Sequence, residues 1–405
     1  MAKPVGSTCN LDCKYCYYLS KEALEGGPGA GRMSEDVLER FTRQYIGGVA
    51  ANEVVFSWQG GEPTLRGLGF FQKAVELQKK YARPGQHVLN DLQTNGTLLD
   101  EAWCEFLREN NWLVGLSIDG PQELNDAYRF SKNGKPTFDQ AYNGAMLLKR
   151  FGVPFNTLTC VNRVNAKRPL EVYRFLRSEL DSTYIQLIPI VEYKGFETTA
   201  PRTWDPEKLP KDGSPEARPG HPGSIVTDWS VDPDDYGDFL CVVFDEWYEH
   251  DVGKVLVNHF ETLVAQHLRL SSQLCIYNQF CGKGLVMEHD GSVYSCDHYV
   301  YPEYRLGSIM DRELAEMVFS EAQVKFGYDK AYALPDYCRR CPYITDCWGE
   351  CPKNRIIRSE EGQSGLNYLC RGLKKYFNHA IPKVERIAAG LRQGQIDPGR
   401  RMPGR

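Results

Sequence analysis

Residues 9–16 read Cys9-Asn10-Leu11-Asp12-Cys13-Lys14-Tyr15-Cys16. Three thiols stand at C-x3-C-x2-C spacing, with no fourth cysteine nearby. Three thiolates can hold three corners of an iron–sulfur cube, whereas most protein-held clusters use four. A three-thiolate site leaves one iron open to a small ligand, as the open position of a catalytic zinc does. The plain alternative is a zinc knuckle completed by a distant residue. The short apolar stretch before the loop, and the aromatic Tyr15 before its last cysteine, weigh against zinc.

Outward from this loop the chain alternates strands and helices. Residues 3–8 read as a first strand, abrupt enough to predict a chain that begins upstream of Met1. Residues 34–48 read as a helix, with Ser34 as cap, Glu35 and Asp36 in the first turn, and Val37, Leu38, Phe41 and Tyr45 as its apolar face. Further strands are expected at 53–58, 88–93, 112–118, 153–161 and 183–190. Helices are expected between them at 68–81, 100–110, 137–151 and 169–179. Six alternating units imply an α/β fold with a parallel sheet and right-handed crossovers. Six fall short of a closed eight-stranded barrel, so a partial (β/α)6 barrel, open on one side, is expected. Its chemistry should gather at the C-terminal strand ends. There the sequence places Gln59-Gly60-Gly61-Glu62-Pro63, Gln93-Thr94-Asn95-Gly96 and Ser117-Ile118-Asp119-Gly120.

The remaining organisation follows from composition. Residues 192–232 carry six prolines (Pro201, Pro206, Pro210, Pro215, Pro219, Pro222), which exclude a regular helix or central strand. This excursion is read as a long loop near the open side of the barrel. Residues 233–250 resume as a helix whose Phe239, Leu240, Val243, Phe244 and Trp247 form a core stripe, and another helix is expected at 257–270. The expected division is therefore a barrel over 1–232, a helical bridge with a cysteine-rich domain over 233–390, and a frayed tail over 391–405.

The 405 residues carry a net charge of −5 and are 42% hydrophobic. A sizeable core is possible, and no general nucleic-acid or anionic-membrane binding is implied. No run of about 18 apolar residues and no signal-peptide core occur, so a cytoplasmic protein is expected. Fourteen cysteines are many for a reducing compartment, and their clustering points to metal rather than disulfides. Cys104, Cys160 and Cys241 stand apart in apolar contexts and read as buried free thiols.

Cys9, Cys13, Tyr15 and Cys16 resemble the signature of the radical S-adenosylmethionine (AdoMet) enzymes. In that family AdoMet chelates the open iron, and the reduced cluster cleaves it to methionine and a 5′-deoxyadenosyl radical. The cofactor carries the hard chemistry while the protein binds and orients. Two glycines alone would mean a tight turn. Beside the cysteine loop, Gly60-Gly61-Glu62-Pro63 resembles the element that holds the AdoMet amino group. The same resemblance implies AdoMet contacts at Gly61, Ser117, Arg129 and Val191, with Tyr15 on the adenine side. Without it, Arg129 would equally read as a surface ion-pair residue.

A second cysteine region starts at Cys275. Cys275 and Cys281 are followed by nine residues, Gly291, four residues and Cys296; then come Cys338, Cys341, Cys347, Cys351 and Cys370. Eight cysteines suffice for two fully thiolate-ligated clusters, and spacing alone does not partition them. A pair of zinc sites is the alternative. The pattern resembles the SPASM extension of peptide-modifying radical AdoMet enzymes. That resemblance implies one auxiliary cluster on Cys275, Cys281, Cys296 and Cys351, and a second on Cys338, Cys341, Cys347 and Cys370. With the AdoMet cluster, three [4Fe-4S] clusters are implied.

The finer resemblance is to the anaerobic sulfatase-maturating enzymes and covers nearly the whole chain. It runs through Gln59-Gly60-Gly61-Glu62-Pro63-Thr64-Leu65, Leu92-Gln93-Thr94-Asn95-Gly96-Thr97 and Asp290-Gly291-Ser292-Val293-Tyr294-Ser295-Cys296-Asp297. It implies oxidation of a sulfatase cysteine or serine to Cα-formylglycine, with a sulfatase polypeptide as substrate. It also implies an electron donor such as a flavodoxin or ferredoxin, and a monomer. Asp297 matches the catalytic base; standing alone it would read as a turn aspartate. Burial beside an anionic cluster should raise its pKa. The alternatives are a SPASM maturase forming thioether or carbon–carbon crosslinks, and a non-catalytic metal-binding interaction protein.

Overall fold

The structure is a computed structural model that describes residues 1–23 and 31–394. Its centre is a six-stranded sheet of β1 (Glu53–Trp58), β2 (His87–Thr94), β3 (Leu113–Ser117), β4 (Phe155–Val161), β5 (Tyr184–Pro189) and β6 (Leu256–Val257). All neighbours pair in parallel and the spatial order follows the sequence. Each crossover carries helix or loop, and β1 and β6 are the outermost strands. This is the expected α/β partial barrel.

The expected strand at 3–8 is not one of the six. Pro4 has no N–H to give a ladder, and Gly6 turns the chain at φ 56°. Only Ala2 keeps strand pairing, bridging Trp58 of β1 on one side and Met287 on the other. The sixth strand comes instead from Leu256–Val257, beyond the proline-rich excursion. Ala2 thus joins the barrel edge to the hairpin strands Val286–Met287, Ser292–Tyr294 and Arg305–Ser308.

The helices follow their sequence signals closely. In Glu35–Gly48 the Ser34 hydroxyl accepts from Val37 N–H at 3.2 Å, and Val37, Leu38 and Phe41 are buried. In Pro233–His250 the Asp232 carboxylate caps the first turn, and the apolar stripe from Phe239 to Trp247 is buried. That stripe packs against Cys370–Arg392, a 23-residue helix. The two helices cross at Gly237 and Gly372. A Cβ on Gly372 would lie 2.0 Å from the Pro233 carbonyl oxygen, so only glycine admits this approach. The expected tail begins inside this helix, which continues to Arg392; residues 395–405 lie outside the described residues.

The excursion 192–232 has two short 3-10 turns and no strand among its residues, as its prolines require. It is nevertheless packed, with Leu209, Ala217, Val226 and Val231 buried. Asp212 N–H donates to the Arg358 carbonyl, tying it to the cysteine-rich domain. No helix among the described residues is long and apolar enough to cross a membrane.

Candidate active site

The cysteine loop is held by backbone and carboxamide bonds. Asp12 N–H donates to Phe130 O at 2.8 Å and Lys14 N–H to Tyr128 O at 2.9 Å. Asn95 Nδ2 donates to Asn10 Oδ1 at 2.9 Å, and Asn10 Nδ2 to Thr97 Oγ1 at 2.8 Å. The loop after β2 therefore grips the loop that carries Cys9. Cys9, Cys13 and Cys16 are free thiols within electrostatic reach of one another. Burial pushes all three up, Cys16 to about 12. Gathered thiols in this state suit a bound cation, which stabilises the thiolates directly. The donor set present fits a three-thiolate iron–sulfur site.

Of the AdoMet-matching residues, Tyr15, Arg129 and Gly61 lie in this loop or against it and its lead-in. The Tyr15 hydroxyl donates to Asp119 Oδ2 and accepts from Arg129 Nη1 at 2.9 Å. Arg129 is only 5% exposed, so it is no surface ion-pair residue. Asp119, at the end of β3, also accepts from Cys160 N–H at 3.0 Å. Gly61 lies against the segment before Cys9: its N–H donates to Gly6 O at 2.9 Å, and a Cβ there would meet Thr8 O at 2.0 Å. The Ser117 hydroxyl accepts from Gln93 Nε2 at 2.8 Å. Val191 is buried, and its carbonyl accepts from Lys353 of the cysteine-rich domain.

Glu62 has a function that its motif alone did not reveal. It is fully buried, and burial raises its carboxyl, while Thr64 and the loop after β2 offset this. Oε1 accepts from Thr64 Oγ1 at 2.6 Å and Thr94 Oγ1 at 2.8 Å, and Oε2 from Asn95 N–H at 2.8 Å. This carboxylate locks the loops after β1 and β2 together. Of the three isolated cysteines, Cys104 and Cys241 are buried as expected. Cys160 is only partly buried and faces the Tyr15–Asp119 pair.

The other eight cysteines gather in two groups. Cys338, Cys341, Cys347 and Cys370 line one small apolar cavity with Tyr343, Leu366 and Phe377. Burial pushes Cys338 to about 11 and Cys347 to about 12. Cys275 and Cys281 lie within electrostatic reach of each other, as do Cys275, Cys296 and Cys351. Lys330 braces this group, its ammonium donating to Cys275 O at 2.7 Å and Ile276 O at 2.6 Å. Both sets have the thiolate chemistry that iron–sulfur clusters take.

Asp297 stands where the first and second cysteine regions meet. Oδ2 accepts from the Tyr17 hydroxyl and, at 2.6 Å, from the Tyr18 hydroxyl, both immediately after Cys16. Oδ1 lies 2.9 Å from Lys3 Nζ, which also lies 2.8 Å from Glu288 Oε1. The protein's own charges oppose the expected rise. Burial does push the carboxyl up, but Lys3, His298 and the two tyrosine hydroxyls pull it down to about 2. Except for neighbouring His298, these residues come from the N-terminal segment, about 280 positions or more away. Tyr17 and His298 also line a small cavity with Tyr193, Phe196 and Trp204, so the excursion borders the surroundings of Asp297.

Two family models match the chain: the radical SAM superfamily over residues 4–176, and an iron–sulfur cluster-binding SPASM domain over residues 279–342. A serine-type anaerobic sulfatase-maturating enzyme of Bacteroides thetaiotaomicron is 46% identical over 387 residues, spanning 95% of this chain and 90% of that one. A cysteine-type anaerobic sulfatase-maturating enzyme of Clostridium perfringens is 34% identical, spanning 97% and 98%. Among solved structures, anSMEcpe with bound AdoMet and a Cp18Cys peptide superposes with a TM-score of 0.80 at 33% identity, spanning 96% of this chain and 98% of that one.

Proposed function

Because this chain belongs to the anaerobic sulfatase-maturating enzymes, we propose that it oxidises a cysteine or serine of a sulfatase polypeptide to Cα-formylglycine. When bound, AdoMet and the [4Fe-4S] clusters supply hydrogen abstraction from Cβ and acceptance of the remaining electron. The protein must hold the cofactors, exclude water and take the thiol or hydroxyl proton. Cys9, Cys13 and Cys16 would hold the AdoMet cluster. Tyr15, Gly61, Ser117, Arg129 and Val191 would surround AdoMet. Cys275, Cys281, Cys296 and Cys351 would hold one auxiliary cluster, and Cys338, Cys341, Cys347 and Cys370 the other.

Asp297 is the proton acceptor in this reading. The supporting observation is its place: it follows Cys296 in sequence and is gripped by Tyr17 and Tyr18 beside Cys16. A proton acceptor is needed between the site that abstracts hydrogen and the site that receives the electron. Lys3 orients the carboxylate and keeps it ionised, so it is free to accept, while its lowered pKa makes it a weaker base. When it takes the proton, the Tyr17 and Tyr18 hydroxyls can keep donating to Oδ2.

The reading extends to a small electron-carrier protein of the flavodoxin or ferredoxin class as reductant, since the AdoMet cluster needs an electron from outside. It extends to a monomer and to the cytoplasm, where thiol-ligated clusters escape oxidation. The domain division in this reading carries the barrel past the expected end at 232, through its sixth strand Leu256–Val257, with the cluster domain following to 390. Anaerobic incubation of reconstituted protein with AdoMet, a reductant and a sulfatase-segment peptide tests the reaction. Cysteine and serine versions should be compared, because relatives of both types match. A mass loss in either peptide is expected; unchanged masses in both, with AdoMet consumed, would overturn the reading.

A further inference from the structure

One side chain of the cysteine-rich domain reaches the residues assigned to AdoMet. Lys353 lies two residues after Cys351, in the 3-10 turn Pro352–Asn354. Its backbone N–H donates to the Cys351 sulfur. Its ammonium donates to the Val191 carbonyl and, at 2.8 Å, to Glu192 Oε1. The side chains of Lys353 and Glu192 are 13% and 8% exposed, so the pair is shielded from water. One residue therefore touches a ligand assigned to the first auxiliary cluster with its backbone, and an AdoMet-matching residue with the end of its side chain.

Both ends of this link are anchored. On the cluster side, Asn354 N–H donates to Cys351 O at 3.0 Å, and Asn354 Nδ2 to Glu350 Oε2 at 3.0 Å. Asn367 Nδ2 donates to the same Glu350 oxygen at 2.6 Å and to Cys351 O at 3.2 Å. The turn that carries Lys353 is thereby tied to Cys351. On the barrel side, Ile190 N–H donates to Val161 O at 2.8 Å, and Glu192 N–H to Ser230 Oγ at 3.0 Å. Val191 stands between these anchors. Its carbonyl is held by Lys353, and its N–H has no hydrogen bond among the described residues. Val191 is 2% exposed. A buried N–H without a partner is rare in a folded protein and marks a place where a ligand acceptor belongs. With Ile190 anchored, the ammonium on the Val191 carbonyl fixes the remaining torsion of that residue.

We infer that Lys353 is a positioning residue for AdoMet: ligation of the first auxiliary cluster by Cys351 sets the turn, and the Lys353 ammonium carries that setting to Val191. The inference rests on the functional reading above, which puts AdoMet at Val191 and a cluster on Cys351. Its consequence is an order of assembly. AdoMet binds more tightly once the auxiliary cluster is in place, so hydrogen abstraction is favoured only where an acceptor for the substrate's electron exists. The coupling is a binding free energy, and it works through one hydrogen-bonded side chain rather than through a change of fold.

The test measures binding without turnover. Labelled AdoMet is dialysed to equilibrium, anaerobically, against reconstituted holoenzyme whose clusters are oxidised. Lys353→Met keeps every thiolate, and at wild-type iron content it should raise the AdoMet dissociation constant about tenfold, the size of one hydrogen bond to a charged group. Lys353→Arg can still donate to both acceptors and should recover most of that loss. Cys351→Ala should weaken AdoMet by a similar factor, and adding Lys353→Met to it should weaken AdoMet no further, because the two act as one unit. An ion pair with a structural role alone would lower the urea midpoint of Lys353→Met and leave the dissociation constant where it is. That result, or full additivity in the double variant, would overturn the inference. A wild-type holoenzyme that binds no AdoMet would sink the functional reading on which it rests.

Discussion

Lys3 Nζ lies 2.9 Å from Asp297 Oδ1, joining the first residues of the barrel to the cluster domain. The ammonium is 1% exposed and serves Glu288 as well. Its partners hold it strongly protonated despite burial. Lys3→Met would leave two acidic groups packed together without their shared cation. Breaking a buried pair by removing one partner costs about 3–5 kcal/mol. Anaerobic urea denaturation of the reconstituted variant should show that loss as a lower midpoint with an unchanged slope. A midpoint within error of wild type would mean the pair contributes nothing net.

Asp297→Asn tests the base without emptying its place. The amide keeps the shape, and its carbonyl oxygen can still accept from Tyr17 and Tyr18, but it cannot carry off a proton. Lys3 retains Glu288. Formylglycine production should fall by about 10²–10⁴, the range for loss of a positioned general base. AdoMet cleavage should remain measurable. Product formation at near wild-type rate, followed by peptide mass spectrometry, would remove Asp297 from the mechanism.

The barrel was legible because its signals are local. The strand expected at 53–58 is Glu53–Trp58, and the helix expected at 233–250 from its apolar stripe is Pro233–His250. The strand expected at 3–8 fails because Pro4 has no N–H for a ladder and Gly6 turns the chain. The helix Cys370–Arg392 is not among the expected elements, and Gly372 and Pro382 interrupt its sequence pattern. One permits a helix crossing and the other is tolerated inside the helix. Asp297 itself could be located by resemblance, but its ionisation could not be read. The expected rise counted burial and a neighbouring cluster, while the deciding charge on Lys3 is brought in only by the fold. Tyr15 shows the same limit: its phenol is engaged by Asp119 and Arg129, partners set by tertiary contacts.

The three thiol groups should separate by iron content and by reaction. A holoprotein with three clusters contains about twelve irons. Cys13→Ala and Cys347→Ala should each lose about four. Only Cys13→Ala should abolish AdoMet cleavage, because Cys347 lies in the apolar cavity with Cys338, Cys341 and Cys370, apart from the Cys9–Cys16 loop. Cys347→Ala should still cleave AdoMet while forming less formylglycine. Equal loss of AdoMet cleavage in both variants would contradict this division of labour.

His259 sets an acid limit on stability. Its Nε2 lies 2.8 Å from the Leu187 carbonyl of β5, and Nδ1 2.9 Å from the Tyr277 hydroxyl. A carbonyl can only accept, so Nε2 carries the proton and Nδ1 accepts from Tyr277. The ring is therefore buried neutral. Burial pulls its pKa down to about 4 from 6.5, the Leu187 bond opposing this in part. The unfolded chain binds the proton first as pH falls. The contribution is thus complete above pH 6.5 and is lost between 6.5 and about 4, amounting to roughly 3 kcal/mol. His259→Gln keeps an amide donor for Leu187 but does not titrate. Its stability, measured against wild type by urea denaturation, should fall less steeply across that window. Parallel curves for the two proteins would show that His259 is protonated in the folded state.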